Sequence, residues 1–469
     1  MSPTTRREFL RRAAGGLGAL ALMGSRALPG LAEAIATAGG KKPNFVFFLV
    51  DDLGWRDVGC YGTKFYETPH IDRLAAEGMR FTDAYAACPV CSPTRASILT
   101  GKYPARLHLT DWIAGHNQPN AKLRIPDWTK YLPLEEVTIA EALKPAGYAT
   151  ASIGKWHLGG EPYYPDKQGF DLNVGGTAKG QPPRYFSPYS IPTLADGPKG
   201  EYLTDRLADE AEKFIEQNRD RPFFLYLPHF AVHTPIQGKE EITAKYAAKP
   251  PDGDQKNATY AAMIESVDES VGCVMKKLDA LGLADRTVVF FMSDNGGLAG
   301  VTSNAPLRAG KGTLYEGGIR EPMIIKWPGV VRSGTTASTP VTSTDFYPTI
   351  LEMAGLPPKP EQHMDGLSLV PLLKESGPLR RDTLYWHYPH YHRTTPAGAL
   401  RHGDWKLIEY FEDGHVELYN LKEDLSETKD LAAAMPEKTH ELQKMLAEWR
   451  RSVGAQMPAT NPNYKPAKP

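Results

Sequence analysis

The chain has 469 residues, enough for two or three domains, and its 41% hydrophobic and 10% aromatic content excludes a disordered chain. Its 54 Lys and Arg against 55 Asp and Glu leave a net charge of −1, which argues against a nucleic-acid-binding surface or a polybasic membrane anchor. Four cysteines in so long a chain exclude a disulfide-built scaffold.

The first 34 residues read as an address. Paired arginines in Thr5-Arg6-Arg7-Glu8-Phe9-Leu10 resemble a twin-arginine export signal. The apolar stretch Ala13 to Met23 is too short and too rich in glycine to span a bilayer as a mature helix. Small-x-small cleavage options follow between Ala32 and Ala38. The expectation is an exported protein, periplasmic or secreted, with no integral membrane segment once the signal is gone. Residues 1–34 hold five Arg and two Glu, so the remaining chain carries a net −4.

The body opens with the apolar run Asn44 to Val50. Runs without alternation suit strands buried on both faces of a parallel sheet, and Tyr148–Ile153, Phe223–Leu227, Val288–Met292 and Met323–Trp327 are of the same kind. Helical patterns separate them: Ile139–Leu143, Leu203–Ile215, and a stripe of Tyr260, Ile264, Val267, Val271, Val274, Leu278 and Leu281 that stops at Gly282. Alternating strands and helices predict an α/β domain with a mainly parallel sheet over residues 43–375. From about residue 375 the pattern changes. Leu384–Trp386, Trp405–Tyr410 and Val416–Tyr419 are short aromatic strands, and Pro436–Val453 is a closing helix. Residues 376–460 are therefore expected to form a smaller α+β domain built on an antiparallel sheet.

Ligands of parallel sheets bind beyond the carboxyl ends of the strands. There the chain places Asp51-Asp52, Lys155 and His157, His233, and Asp294-Asn295. Asp-Asp-Leu-Gly and Asp-Asn-Gly are also good turn and cap sequences taken singly. Together, three carboxylates and an amide oxygen make a hard, all-oxygen set that suits calcium or magnesium better than zinc.

Pro89-Val90-Cys91-Ser92-Pro93-Thr94-Arg95 leads into Leu99-Thr100-Gly101. With Gly147-Tyr148-Ala149-Thr150 through Gly154-Lys155-Trp156-His157, it resembles the two signatures of the formylglycine-dependent sulfatases, over about Asn44 to Lys406. The resemblance implies an alkaline-phosphatase-like fold. It implies that a formylglycine-generating enzyme oxidises Cys91 to formylglycine (3-oxoalanine). The hydrated aldehyde would attack sulfur, displace the alcohol, and collapse to regenerate aldehyde and sulfate, splitting one hard step into two. By the same resemblance, Asp51, Asp52, Asp294, Asn295 and residue 91 itself match the ligands of one calcium ion. Arg95 and Lys155 match the cations on the formylglycine and sulfate oxygens, and His157 the base. His233 matches the contact to the leaving oxygen, and Lys311 the lysine bridging sulfate and leaving group.

The run Trp386-His387-Tyr388-Pro389-His390-Tyr391-His392 suits a sugar, and suits an aromatic strand packed at a domain interface equally well. His387 and His390 are the substrate candidates in this run, with Trp112, His116, Arg401 and His402 weaker ones. Leu109-Thr110-Asp111-Trp112 and Tyr131-Leu132-Pro133-Leu134 look similar to carbohydrate-acting sulfatases of the exo-acting, galactose- or N-acetylgalactosamine-sulfate type. The expected activity is sulfate-ester hydrolysis on a sulfated carbohydrate. The competing expectations are a phosphoester or phosphonate monoester hydrolase, and a glycan-binding protein whose Cys91 is never oxidised.

Overall fold

The computed structural model describes residues 42–116 and 118–465. The export-signal reading of residues 1–34 lies outside the described residues. In chain order the strands are β1 Asn44–Val50, β2 Met79–Tyr85, β3 Leu123–Arg124, β4 Ala149–Ile153, β5 Leu172–Val174, β6 Phe223–Pro228, β7 Thr287–Ser293 and β8 Arg320–Lys326. They continue with β9 Thr335–Ala337, β10 Val341–Thr342, β11 Thr383–Tyr388, β12 Ala397–His402, β13 Trp405–Tyr410, β14 Val416–Asn420 and β15 Ala459–Thr460.

A nine-stranded sheet runs β10-β2-β8-β7-β1-β6-β4-β5, with β9 on β2. Only β8 runs against its neighbours β7 and β2, so the sheet is mainly parallel, as the apolar runs predict. Met323–Trp327 is thus a correction in direction: an apolar run reads the same either way. Alternate residues of β1 serve two cores. Val46, Phe48 and Val50 face one, and Phe45, Phe47 and Leu49 the other. Helices 203–217 and 258–280 cover the first face, and helices 91–100, 139–143 and 346–353 the second. Full burial of each such side chain contributes roughly 1.5–3 kcal/mol.

The helix Ala258–Ala280 buries the predicted stripe from Tyr260 to Leu278. Asn257 caps it by accepting from the Tyr260 N–H at 3.1 Å, and Gly282 just beyond takes φ +65°. Among the described residues no helix is long and apolar enough to cross a membrane.

The second sheet is an antiparallel meander, β11-β12-β13-β14. The helix Pro436–Ser452 packs on it through Leu442, Leu446 and Trp449. Trp386 on β11 donates its indole N–H to the Ala86 carbonyl at 2.8 Å. That contact ties the meander to the segment between β2 and Cys91.

Candidate active site

The carboxyl ends of β1, β4, β6 and β7 deliver Asp51 and Asp52, Lys155 and His157, His233, and Asp294 and Asn295 to one edge. β2 adds Cys91, which opens the helix Cys91–Thr100 after a five-residue link. Lys311 arrives from the loop ahead of β8. All the predicted catalytic and metal-site side chains therefore meet at one place.

They form a closed set of ion pairs. Lys155 Nζ lies 2.6 Å from Asp51 Oδ2, and Lys311 Nζ 2.6 Å from Asp52 Oδ1. Arg95 donates from Nε and NH2 to Asp294 Oδ2 at 2.9 and 2.7 Å, and from NH1 to the Lys155 carbonyl at 2.9 Å. Asn295 donates to Asp52 Oδ1 at 2.8 Å. His233 Nε2 is 3.7 Å from Asp52 Oδ2. Asp51, Arg95, Lys155, Asp294 and Asn295 are fully buried, which strengthens every charge interaction among them.

The thiol of Cys91 sits 3.3 Å from His157 Nδ1. On the other side of that ring, Nε2–H donates to the Ile113 carbonyl. This contact places the proton on Nε2 and leaves the Nδ1 lone pair facing residue 91. Burial first, then Lys155, hold the imidazole pKa well below its usual value, so the ring is a neutral acceptor. Burial and Lys311 likewise bring His233 down to about 3. Burial pushes the Asp51 carboxyl well above the carboxylate range, with Asp294 adding to it and Lys155 opposing. Asp52 is held low instead: Lys311 and His233 overcome its burial.

The donor set fits a hard cation. Asp51 Oδ1 and Asn295 Oδ1 are buried without a hydrogen-bond partner among the described residues. The ligand atoms of Asp51, Asp52 and His233 come within 4.8 Å of one another. Asp294 differs, because Arg95 takes its Oδ2 and only a 3.3 Å bond from the Asp52 N–H reaches Oδ1.

Local backbone supports the cluster at a cost. Asp52 and His157 take φ +62° and +59°, the left-handed region that non-glycine residues enter at about 1–2 kcal/mol each. Gly154, at φ +127°, lets Lys155 N–H reach the Pro228 carbonyl at 2.7 Å. A Cβ on Gly154 would stand 2.0 Å from that same oxygen. Gly154→Ala is therefore expected to cost at least about 2 kcal/mol in denaturant unfolding and about 100-fold in turnover, because β4 and β6 must separate beneath Lys155. Wild-type stability and rate in this variant would overturn that account.

Some supporting residues carry little sequence signal. Ser92 Oγ accepts from the Ile113 N–H at 3.1 Å and donates to the His157 carbonyl at 2.9 Å, pinning the loop that orients the base. It sits inside the cysteine motif, which is the one hint available. Tyr185 donates to the Phe230 and His233 carbonyls at 2.7 and 2.9 Å. His392, the end of the aromatic run, stands against Gly312, where a Cβ would meet its Nδ1 at 2.5 Å. Its ring meets His116 edge-on at 4.7 Å, and His116 meets Trp112 at 5.1 Å. Trp112 therefore belongs to a wall beside the site.

Four other substrate candidates do not reach the reacting centre. Arg401 is buried and paired with Asp83 at 2.7 Å, holding the meander to β2. His402 bonds the Thr383 hydroxyl across the sheet at 2.8 Å. His387 is buried and bonded to the Gln456 carbonyl at 2.8 Å. His390 is buried against Thr110 at 2.8 Å, behind the Trp112 loop. Packing between the two sheets accounts for Arg401 alone; His402 is bonded within the meander, and His387 to the segment after the closing helix.

Buried cations facing an acidic cluster around one thiol, at the edge of a mainly parallel α/β sheet, suit an enzyme that grips an anionic ester. The sulfatase family profile matches residues 43–356, and that of the C-terminal region of N-sulphoglucosamine sulphohydrolase matches residues 310–452. A sulfatase of Formosa agariphila is 37% identical, over 84% of this chain and 85% of its own. Human N-acetylgalactosamine-6-sulfatase is 36% identical, over 75% of this chain and 69% of its own. The crystal structure of Ps i-CgsB aligns with a TM-score of 0.76 at 31% identity, covering 90% of this chain and 95% of that one. The chain belongs to the sulfatase family, and it is a sulfuric ester hydrolase.

Proposed function

We propose that the protein hydrolyses sulfate esters of a carbohydrate through a formylglycine made from Cys91, assisted by one calcium ion. The observation that carries this reading is the Cys91 thiol facing the free lone pair of His157 inside the ring of buried cations and carboxylates. Asp51, Asp52, Asp294 and Asn295 would hold the calcium, with residue 91 completing its ligands. The ion and the hydrated aldehyde would together supply Lewis acidity and an oxygen nucleophile.

The chain's own residues do the rest. Arg95 and Lys155 bind and orient the oxygens around residue 91. His157 Nδ1 takes the proton of the attacking group, because its other nitrogen is committed to Ile113. Lys311, held by Asp52, neutralises charge growing between sulfate and the leaving oxygen, and His233 presents a neutral ring to that oxygen. The carbohydrate assignment is supported by relatives: one is named N-acetylgalactosamine-6-sulfatase, and one structural neighbour was solved with a neocarrahexaose. Export by residues 1–34, maturation by a formylglycine-generating enzyme, and a division into a catalytic domain over residues 43–375 and a smaller α+β subdomain over residues 376–460 belong to the same proposal.

The test combines mass spectrometry of the Cys91 peptide from the native host with turnover of 4-nitrophenyl sulfate and 4-nitrophenyl phosphate. An aldehyde at residue 91, preference for the sulfate ester and inactivation by excess chelator are expected. An unmodified thiol in active enzyme, dominant phosphatase activity, or full activity in chelator would overturn it.

A further inference from the structure

The loop after Leu109 carries the acceptor that holds the base. Ile113 receives His157 Nε2–H on its carbonyl and donates its own N–H to Ser92 Oγ at 3.1 Å. Two residues earlier, Asp111 is fully buried. A carboxyl in that position is costly unless its oxygens are bonded. Its Oδ1 accepts from the Trp112 N–H at 2.9 Å and from the Tyr388 hydroxyl at 2.8 Å. Tyr388 lies on β11 of the meander, 277 residues further along the chain. One carboxyl oxygen therefore ties the start of this loop to the C-terminal sheet.

Packing closes the other side of Asp111. His390, just past β11, is wholly buried and bonds the Thr110 hydroxyl through Nε2 at 2.8 Å. Its Nδ1 faces Asp111 Oδ2 at 3.7 Å, and neither atom has a hydrogen-bond partner among the described residues. The Trp128 ring meets His390 edge-on at 5.6 Å. Gly115 takes φ +76°, and a Cβ there would stand 2.8 Å from the Trp128 ring and 3.2 Å from Asp111 Oδ2. The loop thus folds back over its own anchor. Asp111, Tyr388 and His390 hydrogen-bond neither Cys91 nor His157, so any effect on the reaction passes through the Ile113 carbonyl.

We propose that Asp111 is a positioning residue for the base. Braced by Tyr388 and His390, it fixes the Ile113 carbonyl against His157 Nε2–H, and with it the direction in which the Nδ1 lone pair meets residue 91. This role rests on the catalytic reading above for the part His157 plays. The hydrogen bond at one ring nitrogen decides what the other can do, and a base is useful only while a further group orients it. The meander thereby serves the reaction from behind the site, although Tyr388 and His390 do not reach the reacting centre. Burial lifts the Asp111 carboxyl to about 7, against the pull of Tyr388 and the Trp112 N–H. An amide of the same shape is therefore a close replacement: its oxygen keeps both donors, and its nitrogen faces His390 Nδ1.

The test compares Asp111→Ala, Asp111→Asn and Tyr388→Phe in the full chain, with turnover of 4-nitrophenyl sulfate counted per aldehyde at residue 91. Asp111→Ala is expected to lower kcat about 100-fold with KM within about twofold, as misplacing a reacting group does. Asp111→Asn is expected to recover most of that loss, and Tyr388→Phe, which removes one hydrogen bond, to lower kcat about fivefold. The second readout is the His157 ring N–H proton by NMR of protein isotope-labelled at histidine, assigned by its absence from His157→Gln. A proton held by a buried carbonyl exchanges slowly and gives a resolved signal. That signal is expected in wild type and in Asp111→Asn, weakened in Tyr388→Phe and lost in Asp111→Ala. Persistence of the signal or of wild-type kcat in Asp111→Ala, or an equal loss in Asp111→Asn, would overturn the role. Should Asp111→Ala fail to fold, wild-type signal and kcat in Tyr388→Phe would overturn it. Failure of the catalytic reading is seen separately, as wild-type protein with a verified aldehyde that does not turn over 4-nitrophenyl sulfate while the ring signal still follows Asp111.

Discussion

Cys91→Ala is expected to lower sulfate-ester turnover at least about 10⁴-fold and leave the fold intact. Loss of a nucleophile in a covalent mechanism costs this much because the remaining groups bind and orient but have nothing to react through. The fold survives for a structural reason. Cys91 is 2% exposed, yet it lies outside the apolar clusters of the described residues, and its sulfur faces His157 and not a core. Cys88, three residues earlier, is the internal control. It packs with Tyr85, Val90 and Ile319, so Cys88→Ala should cost about 1–2 kcal/mol of stability and leave kcat near wild type. Cys91→Ser adds a chemical test. A serine adduct has no second hydroxyl to drive its collapse, so at most one equivalent of alcohol should be released. Turnover of Cys91→Ala within tenfold of wild type, by 4-nitrophenyl sulfate kinetics, would remove residue 91 from the mechanism.

Much of this site could be read before any coordinates. A parallel sheet sends the ends of its strands to one edge, so residues following apolar runs are neighbours however far apart in sequence. Asp51, Lys155, His233 and Asp294 were legible on that ground alone. β2 was not, because Arg80, Thr82 and Asp83 interrupt its apolar residues to serve contacts elsewhere. β12 was hidden similarly by Gly398 and by Arg401, whose partner Asp83 lies more than 300 residues away. A cationic side chain reads as a ligand contact until its buried partner is seen. The Ile113 carbonyl that sets the His157 tautomer has no sequence signal at all, since every residue carries one. His392 stood within a legible run, but the run could not say which of its histidines turns toward the site and which are buried away from it.

Lys406→Met should show the energetic link between the two sheets. Lys406 on β13 is wholly buried, with its Nζ 2.8 Å from both Glu316 Oε1 and Glu427 Oε1. Glu316 also accepts from Tyr85 at 2.7 Å and pairs with Arg320 at 3.1 Å, while Glu427 accepts from the Glu316 N–H at 2.7 Å. Methionine fills the volume but leaves the Glu316 carboxylate facing Glu427, whose carboxyl burial already raises to about 7 against the pull of Lys406. Removing one partner of such a cluster costs about 3–5 kcal/mol, far more than the net worth of the intact pair. Urea unfolding at neutral pH should show that loss, and turnover should fall too, because Glu316 begins the short helix that follows the Lys311 loop. The pH dependence identifies the cause. Burial alone would raise the Glu316 carboxyl, but Lys406, Arg320 and Arg401 hold it down at about 2, below its ordinary 4.5. A depressed carboxyl contributes stability that is present above its unfolded pKa and lost as pH falls toward the folded value. Without Lys406 that depression weakens, so the gap between wild type and variant should narrow steadily from pH 4.5 toward pH 2. A gap below about 1 kcal/mol at neutral pH, or one that does not change with acid, would mean that the buried lysine holds the sheets together by packing alone.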